Sequence, residues 1–131
     1  MEHEELIQRA SILQRQSEEI EMNLRFINQQ ISELDEFKEG LQFLETHKGK
    51  EMISSLGRGI FVKSSRTEDK FFVEVGAGIV VKKSAGEIRE IIEGQVKKFR
   101  EAKSGLMAEL ESYAMEFRRM VGALQGMKRK S

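Results

Sequence analysis

The segment Leu56-Gly57-Arg58-Gly59-Ile60-Phe61-Val62-Lys63-Ser64-Ser65 returns as Val75-Gly76-Ala77-Gly78-Ile79-Val80-Val81-Lys82-Lys83-Ser84, with six of the ten aligned positions identical. In each copy an apolar run leads into Gly-X-Gly and another leaves it. Glycine reaches positive φ without a Cβ clash, as tight hairpin turns demand, so Gly57, Gly59, Gly76 and Gly78 read as turn residues. The expected strands are 52–56 paired with 60–64, and 71–75 paired with 79–83. Thr67, Glu68 and Asp69 form a polar link between the two hairpins. A phosphate-binding loop is the rival reading of a Gly-X-Gly, but that loop needs a helix start after its glycines. Here a strand follows in both copies.

Side chains alternate across a strand, so Ile60 and Val62 share a face, as do Phe71, Val73 and Val75, and Ile79 and Val81. Phe61, Phe72 and Val80 point the other way. A four-stranded sheet of this size cannot bury both faces against its own chain, and its edges have no partners. Ile60, Val62, Phe71, Val73, Val75, Ile79 and Val81 are therefore expected to form an assembly surface. Closing a barrel with other copies would remove the open edges.

On either side of this segment the period changes from two to seven. Leu6, Leu13, Ile20, Ile27, Leu34 and Leu41 form one unbroken heptad column, and Ile92, Phe99, Leu106, Tyr113, Met120 and Met127 form another. Companion columns run through Ala10, Ser17, Leu24, Ile31 and Lys38, and through Val96, Lys103, Leu110, Phe117 and Leu124. Such columns keep one seam against a partner helix and imply a left-handed supercoil. The fold class expected is α+β: a long antiparallel coiled-coil helical hairpin with two small β-hairpins at the joint. It is read as a single domain over 1–131, with a first arm over about 2–48, β-hairpins over about 52–83 and a second arm over about 86–128. Folding back places Leu6 near Met127, Ile20 near Tyr113 and Leu41 near Ile92. Gly49 is the expected stop of the first helix, and Ser84-Ala85-Gly86-Glu87 has capping-box spacing for the start of the second. Arms of roughly 40 residues would reach about 60 Å.

Composition agrees and excludes much else. Charged residues make up 34% of the chain and aromatics 7%, which favours long helices with a narrow buried stripe over a wide core. There is no proline to interrupt them. The 22 basic and 22 acidic residues cancel, against the basic excess usual in nucleic-acid binders. The absence of cysteine removes disulfides and thiolate metal sites and suits a reducing, cytoplasmic setting. Met1-Glu2-His3-Glu4-Glu5 lacks the basic start of a secretory signal, and no apolar run approaches the length of a membrane span. His3 and His47 are far apart and have no ligand cluster around them; they read as solvated side chains. No nucleophile, base and orienting group are placed together, so neither an enzyme nor a cofactor site is expected.

Two coiled-coil arms flanking a pair of hairpins resemble prefoldin. The stretches Leu56-Gly57-Arg58-Gly59-Ile60-Phe61-Val62-Lys63 and Phe72-Val73-Glu74-Val75-Gly76-Ala77-Gly78-Ile79-Val80-Val81 look like the signature region of its alpha-type subunits, which carry two hairpins where beta-type subunits carry one. Ser55 departs from the proline often found there. The resemblance implies a hexamer of two alpha-type and four beta-type subunits whose joined β-barrels form a platform. Their arms hold unfolded polypeptides at the tips without nucleotide and pass them to a group II chaperonin. It points to an archaeal chain, with a eukaryotic relative as the alternative.

The arm ends fit that role. Ala10 and Ser17 weaken the seam there, and Ile7, Ile12, Met107, Met115 and Val121 lie off it. Four of the seven methionines fall in the distal half of the second arm, and methionine adapts to irregular partners. Fraying of the tip would add Leu6, Leu13, Leu124 and Met127. The candidate client-binding residues are thus Leu6, Ile7, Ile12, Leu13, Met115, Met120, Val121, Leu124 and Met127. A plain coiled-coil core is the bland reading of the seam members among them. A structural scaffold or tether is the rival function, and it would be expected to carry polar outer faces.

Overall fold

The computed structural model describes residues 2–130, except for the side chain of Lys130. Helix α1 spans Glu2–Thr46. Strands β1 (Glu51–Gly57) and β2 (Ile60–Ser65) follow, then β3 (Phe71–Gly76) and β4 (Ile79–Lys83), and helix α2 spans Ala85–Lys130. Two long helices with two antiparallel β-hairpins between them are the architecture expected. The chain divides into two compact units: residues up to Ile31 with those from Lys97 onward, and Ser32–Val96.

In the unit containing the chain ends, burial follows the heptad columns. Leu6, Ala10, Leu13, Ser17, Ile20, Leu24, Ile27 and Ile31 of α1 are buried or half-buried, as are Phe99, Lys103, Leu106, Leu110, Tyr113, Phe117, Met120, Leu124 and Met127 of α2. Leu24 and Leu110 line the same groove. Leu13, Ile20, Ile27 and Met120 are the buried positions of this seam. The charged side chains between these columns face solvent, so the helices are held by a stripe rather than by an enclosing core.

In the other unit the seam continues and gains a third element. Leu41, Ile88 and Ile92 form a buried cluster against which Leu34, Phe71, Val73, Ala85 and Val96 pack. Leu41 and Ile92 are thus neighbours, as the folded-back register requires. Lys38 occupies a seam position, where a charge would be costly alone. Its ammonium reaches the Glu93 carboxylate at 3.3 Å, which leaves the stem in the seam and the charge at its rim.

Helix ends follow local chemistry. The backbone N–H of Glu87 donates to Ser84 Oγ at 3.1 Å, and the N–H of Ser84 donates to Glu87 Oε1 at 3.4 Å. This is the reciprocal capping box, and it starts α2 one residue before the expected position. Helix α1 ends at Thr46, two residues short of the expected boundary. A turn over 47–49 then leads to Gly49, whose φ of 78° is the left-handed conformation that glycine adopts freely.

The two hairpins are conformational as well as sequence duplicates. Gly57 pairs with Ile60 and Gly76 with Ile79, each across a two-residue loop. Arg58 and Gly59 have φ of 54° and 76°, and Ala77 and Gly78 have φ of 50° and 75°. Positive φ at both central residues defines the type I′ turn, whose twist matches that of the flanking strands. Register shifts between Ser55 and Gly57 and between Glu74 and Gly76 leave Leu56 and Val75 as bulge residues.

One expectation is corrected. The strands do not form one four-stranded sheet; they form two separate two-stranded sheets, β1–β2 and β3–β4. The link over 66–70 is engaged with the end of α1 instead of forming a tight turn between β2 and β3. The Arg66 carbonyl accepts from the Gly49 N–H at 3.1 Å, and Lys48 pairs with Asp69.

Adjacent isoleucines test the seam. Ile92 is 4% exposed and Ile91 is 45% exposed. Ile92→Ala should lower stability by about 2–5 kcal/mol, while Ile91→Ala should change it by roughly 0.5 kcal/mol or less, both read from denaturant melts.

Candidate functional site

Each hairpin presents one face toward the helices and one away. In the second hairpin Phe71 and Val73 pack on the helical cluster, and Val81, paired with Val73, is half-buried beside them. Phe72 and Val80 project from the opposite face, 63% and 55% exposed. In the first hairpin Met52, Ser54 and Ser64 are half-buried, whereas Ile53 and Phe61 on the other face are 70% and 62% exposed. Of the residues expected to form the assembly surface, Ile60, Val62, Val75 and Ile79 are exposed, while Phe71, Val73 and Val81 are half-buried within this chain. The β1–β2 and β3–β4 sheets each retain two unpaired edges within this chain.

Ile53 and Leu56 are exposed apolar residues that the sequence reading did not single out. Alternation in 52–56 is weak because Ser54 and Ser55 interrupt it, and the bulge that turns Leu56 outward has no sequence signature beyond the following glycine. An apolar groove of about 780 Å³ lies beneath the outer residues, walled by Phe37, Leu44, Phe71, Phe72, Ile88 and Ile91 among others.

Arg66 positions this joint, and it too escaped the sequence reading. Its guanidinium donates to the carbonyl of Leu44 at 2.6 Å, of Glu68 at 2.9 Å and of Asp69 at 3.0 Å. Its charge also lies 4.6 Å from the centre of the Phe71 ring. The Leu44 carbonyl also accepts the His47 N–H at 3.4 Å, so Arg66 adds a charge-assisted second donor at the end of α1 while it holds the inter-hairpin link. Arg89 pairs with Glu45 across the same pair of helices. His47 is half-buried rather than solvated: its Nδ1 lies 2.7 Å from the Phe43 carbonyl, and its ring stacks on Phe43 at 3.9 Å.

At the other unit, Ile7, Ile12, Met107 and Met115 are 48%, 52%, 53% and 48% exposed. Leu6, Val121, Leu124 and Met127 are half-buried, and Leu13 and Met120 are buried in the seam. Both helices are intact to Glu2 and Lys130. Reaching Leu13 or Met120 therefore requires the seam to open, whereas Ile7, Ile12 and Met115 are already accessible.

Among the described residues there is no group of three or more His, Cys, Asp or Glu able to hold a metal ion, and no helix is long and apolar enough to cross a membrane. What the surfaces can do is bind other polypeptides: through strand edges and apolar faces at the hairpins, and through apolar side chains beside the seam at the arm ends.

The architecture is two long helices joined through two β-hairpins, and comparison with known proteins gives its family. The prefoldin subunit model matches residues 13–128, so the chain belongs to the prefoldin family, a family of chaperones. It is 28% identical to prefoldin subunit alpha of Archaeoglobus fulgidus over 134 aligned positions, covering 98% of this chain and 96% of that one. It is 26% identical to prefoldin subunit alpha of Methanobrevibacter smithii over 108 positions, covering 82% and 74%. The relatives are alpha-type, in agreement with the two hairpins. The fold is similar to that of a chain in the cryo-EM structure of filamentous PFD from Methanocaldococcus jannaschii, with a TM-score of 0.75 and 19% identity, covering 88% of this chain and 98% of that one.

Two measurements probe the joint. Arg66→Ala should lower stability by about 1.5–3 kcal/mol through loss of charge-assisted hydrogen bonds, with Arg66→Lys recovering only part, as read by thermal melts. The second concerns acid. The Ser84 N–H and hydroxyl donate to the Glu87 carboxylate and hold its pKa below the ordinary 4.5. A carboxyl depressed in the folded state adds stability above its unfolded value and loses it as pH falls through the folded value. Melting temperature should thus drop on acidification below 4.5, and Glu87→Ala should lower it at neutral pH while flattening that decline.

Proposed function

We propose that this chain is the alpha-type subunit of an ATP-independent holdase that captures unfolded polypeptides at its arm ends and transfers them to a group II chaperonin. The observation carrying the reading is the set of exposed apolar residues beside a seam that is already filled: Ile7, Ile12, Met107 and Met115. A spacer helix has no use for them, and exposed apolar surface marks interaction sites. The two Gly-X-Gly segments, the sequence's candidates for a phosphate loop, form hairpin turns, which is consistent with action without nucleotide.

The hairpins are the assembly end in this reading. Their unpaired edges and outward Ile53, Phe61, Phe72 and Val80 suit pairing with beta-type subunits, two alpha to four beta, in a cytoplasmic hexamer. Arg66 and the Leu41–Ile88–Ile92 cluster hold them in place for it.

Aggregation of a denatured client, followed by light scattering, separates the readings. The assembled complex should suppress it equally with and without ATP. Replacing Ile7, Ile12, Met107 and Met115 together by serine should abolish suppression while the stoichiometry of the complex is unchanged. Retained suppression would refute the placement of the site at the arm ends, and no suppression by the intact complex would favour a tether. In size-exclusion chromatography, the chain expressed alone should self-associate through its open strand edges; a monodisperse monomer would count against the hairpins as the assembly surface.

A further inference from the structure

The chain has seven methionines and no cysteine, so its thioethers are its only oxidisable sulfur. They are unequally placed. On α2, Met107 is 53% exposed and Met115 is 48% exposed, while Met120 is 7% exposed in the seam. Met107 stands at the rim of a groove of about 610 Å³ whose apolar walls are Leu24, Leu110 and Ala114. Met115 is the large apolar side chain of a second, more polar depression that Ser112, Glu116 and Arg119 also line, one helical turn beyond Glu111, which borders both. Eight residues separate the two methionines, which places them about 80° apart, on the same side of the helix. Here methionine supplies adaptable apolar surface, and one added oxygen replaces it with a polar sulfoxide.

We propose that Met107 and Met115 are reversible oxidation sites through which peroxides switch off polypeptide capture. The proposal rests on the holdase reading above. A sulfur lone pair attacks one peroxide oxygen and the O–O bond breaks. Proton transfer to the departing oxygen releases water from hydrogen peroxide and leaves the sulfoxide. Sulfur loses two electrons and the peroxide gains two. A thiol-dependent sulfoxide reductase reverses the step. The seam at Met120 survives, because that thioether is shielded, and Met127 nearer the arm end is half-buried. The groove does not keep its character: the sulfoxide oxygen is a strong acceptor, and an apolar client segment would have to strip it of water without offering a donor. Met22 is 61% exposed on α1 but lines neither depression, so its oxidation is without consequence for capture.

The test treats the assembled complex with hydrogen peroxide, locates added oxygen by peptide mass spectrometry, and measures suppression of client aggregation. Met22, Met107 and Met115 should gain oxygen ahead of Met120, and suppression should be lost in step with Met107 and Met115. A Met107→Leu/Met115→Leu double variant, its helicity checked by circular dichroism and its own untreated suppression taken as the baseline, should lose none of that baseline through the same treatment. Met22→Leu should lose suppression as the unsubstituted complex does. Oxidation of Met120 as early as Met107, or equal loss of suppression in the double leucine variant, overturns the proposal. Failure of the untreated complex to suppress aggregation overturns the holdase reading and this proposal with it, and is distinguished by needing no oxidant.

Discussion

Phe71 and Val73 resting on Leu41, Ile88 and Ile92 is the contact on which the rest of the joint depends. A two-stranded hairpin is marginal in water by itself, since it buries too little to offset the entropy of ordering its chain. The second hairpin escapes this by placing one face on the helix pair. The helix pair in turn gains a wider core at that point than its seam alone provides. The first hairpin has no comparable cluster, and Arg66 ties the link between the hairpins to the end of α1 instead. One apolar contact and one guanidinium thus hold two small sheets whose outer faces remain free for other chains.

The heptad columns were legible because a seam of two helices demands apolar side chains at fixed intervals and tolerates almost anything between them. Each seam position read from the sequence is buried or half-buried, including Lys38 and Lys103, whose charges would have hidden them from a count of apolar residues alone. The duplicated Gly-X-Gly was legible for the same kind of reason, since positive φ is hard to achieve without glycine. Yet the residue between the glycines is left-handed too, in Arg58 and Ala77. Nothing about an arginine or an alanine announces that; the two-residue loop imposes it.

Other features were illegible because they depend on distant partners. Arg66 is one polar residue among many until the Leu44 carbonyl is brought beside it from 22 residues away. The strands separate into two sheets, whereas strand patterning alone suggested one. At the arm ends the sequence placed Ile7, Ile12 and Met115 off the seam, where they are exposed, but it did not show that Val121, also placed off it, is half-buried, or that Leu13 and Met120 are covered more fully than Leu6, Leu124 and Met127.

The order in which seam partners follow one another along the chain has a kinetic consequence. Pairing Leu41 with Ile92 closes the smallest loop in the seam, and each pair farther out closes a larger one unless its inner neighbour has already formed. Loop-closure entropy therefore favours zippering from the joint outward. The outermost pairs have neighbours on one side only, so they are the last to close and the first to open. The outermost turns of the seam are then the part of the coiled coil that opens at least cost, without disturbing the cluster that keeps the hairpins in place.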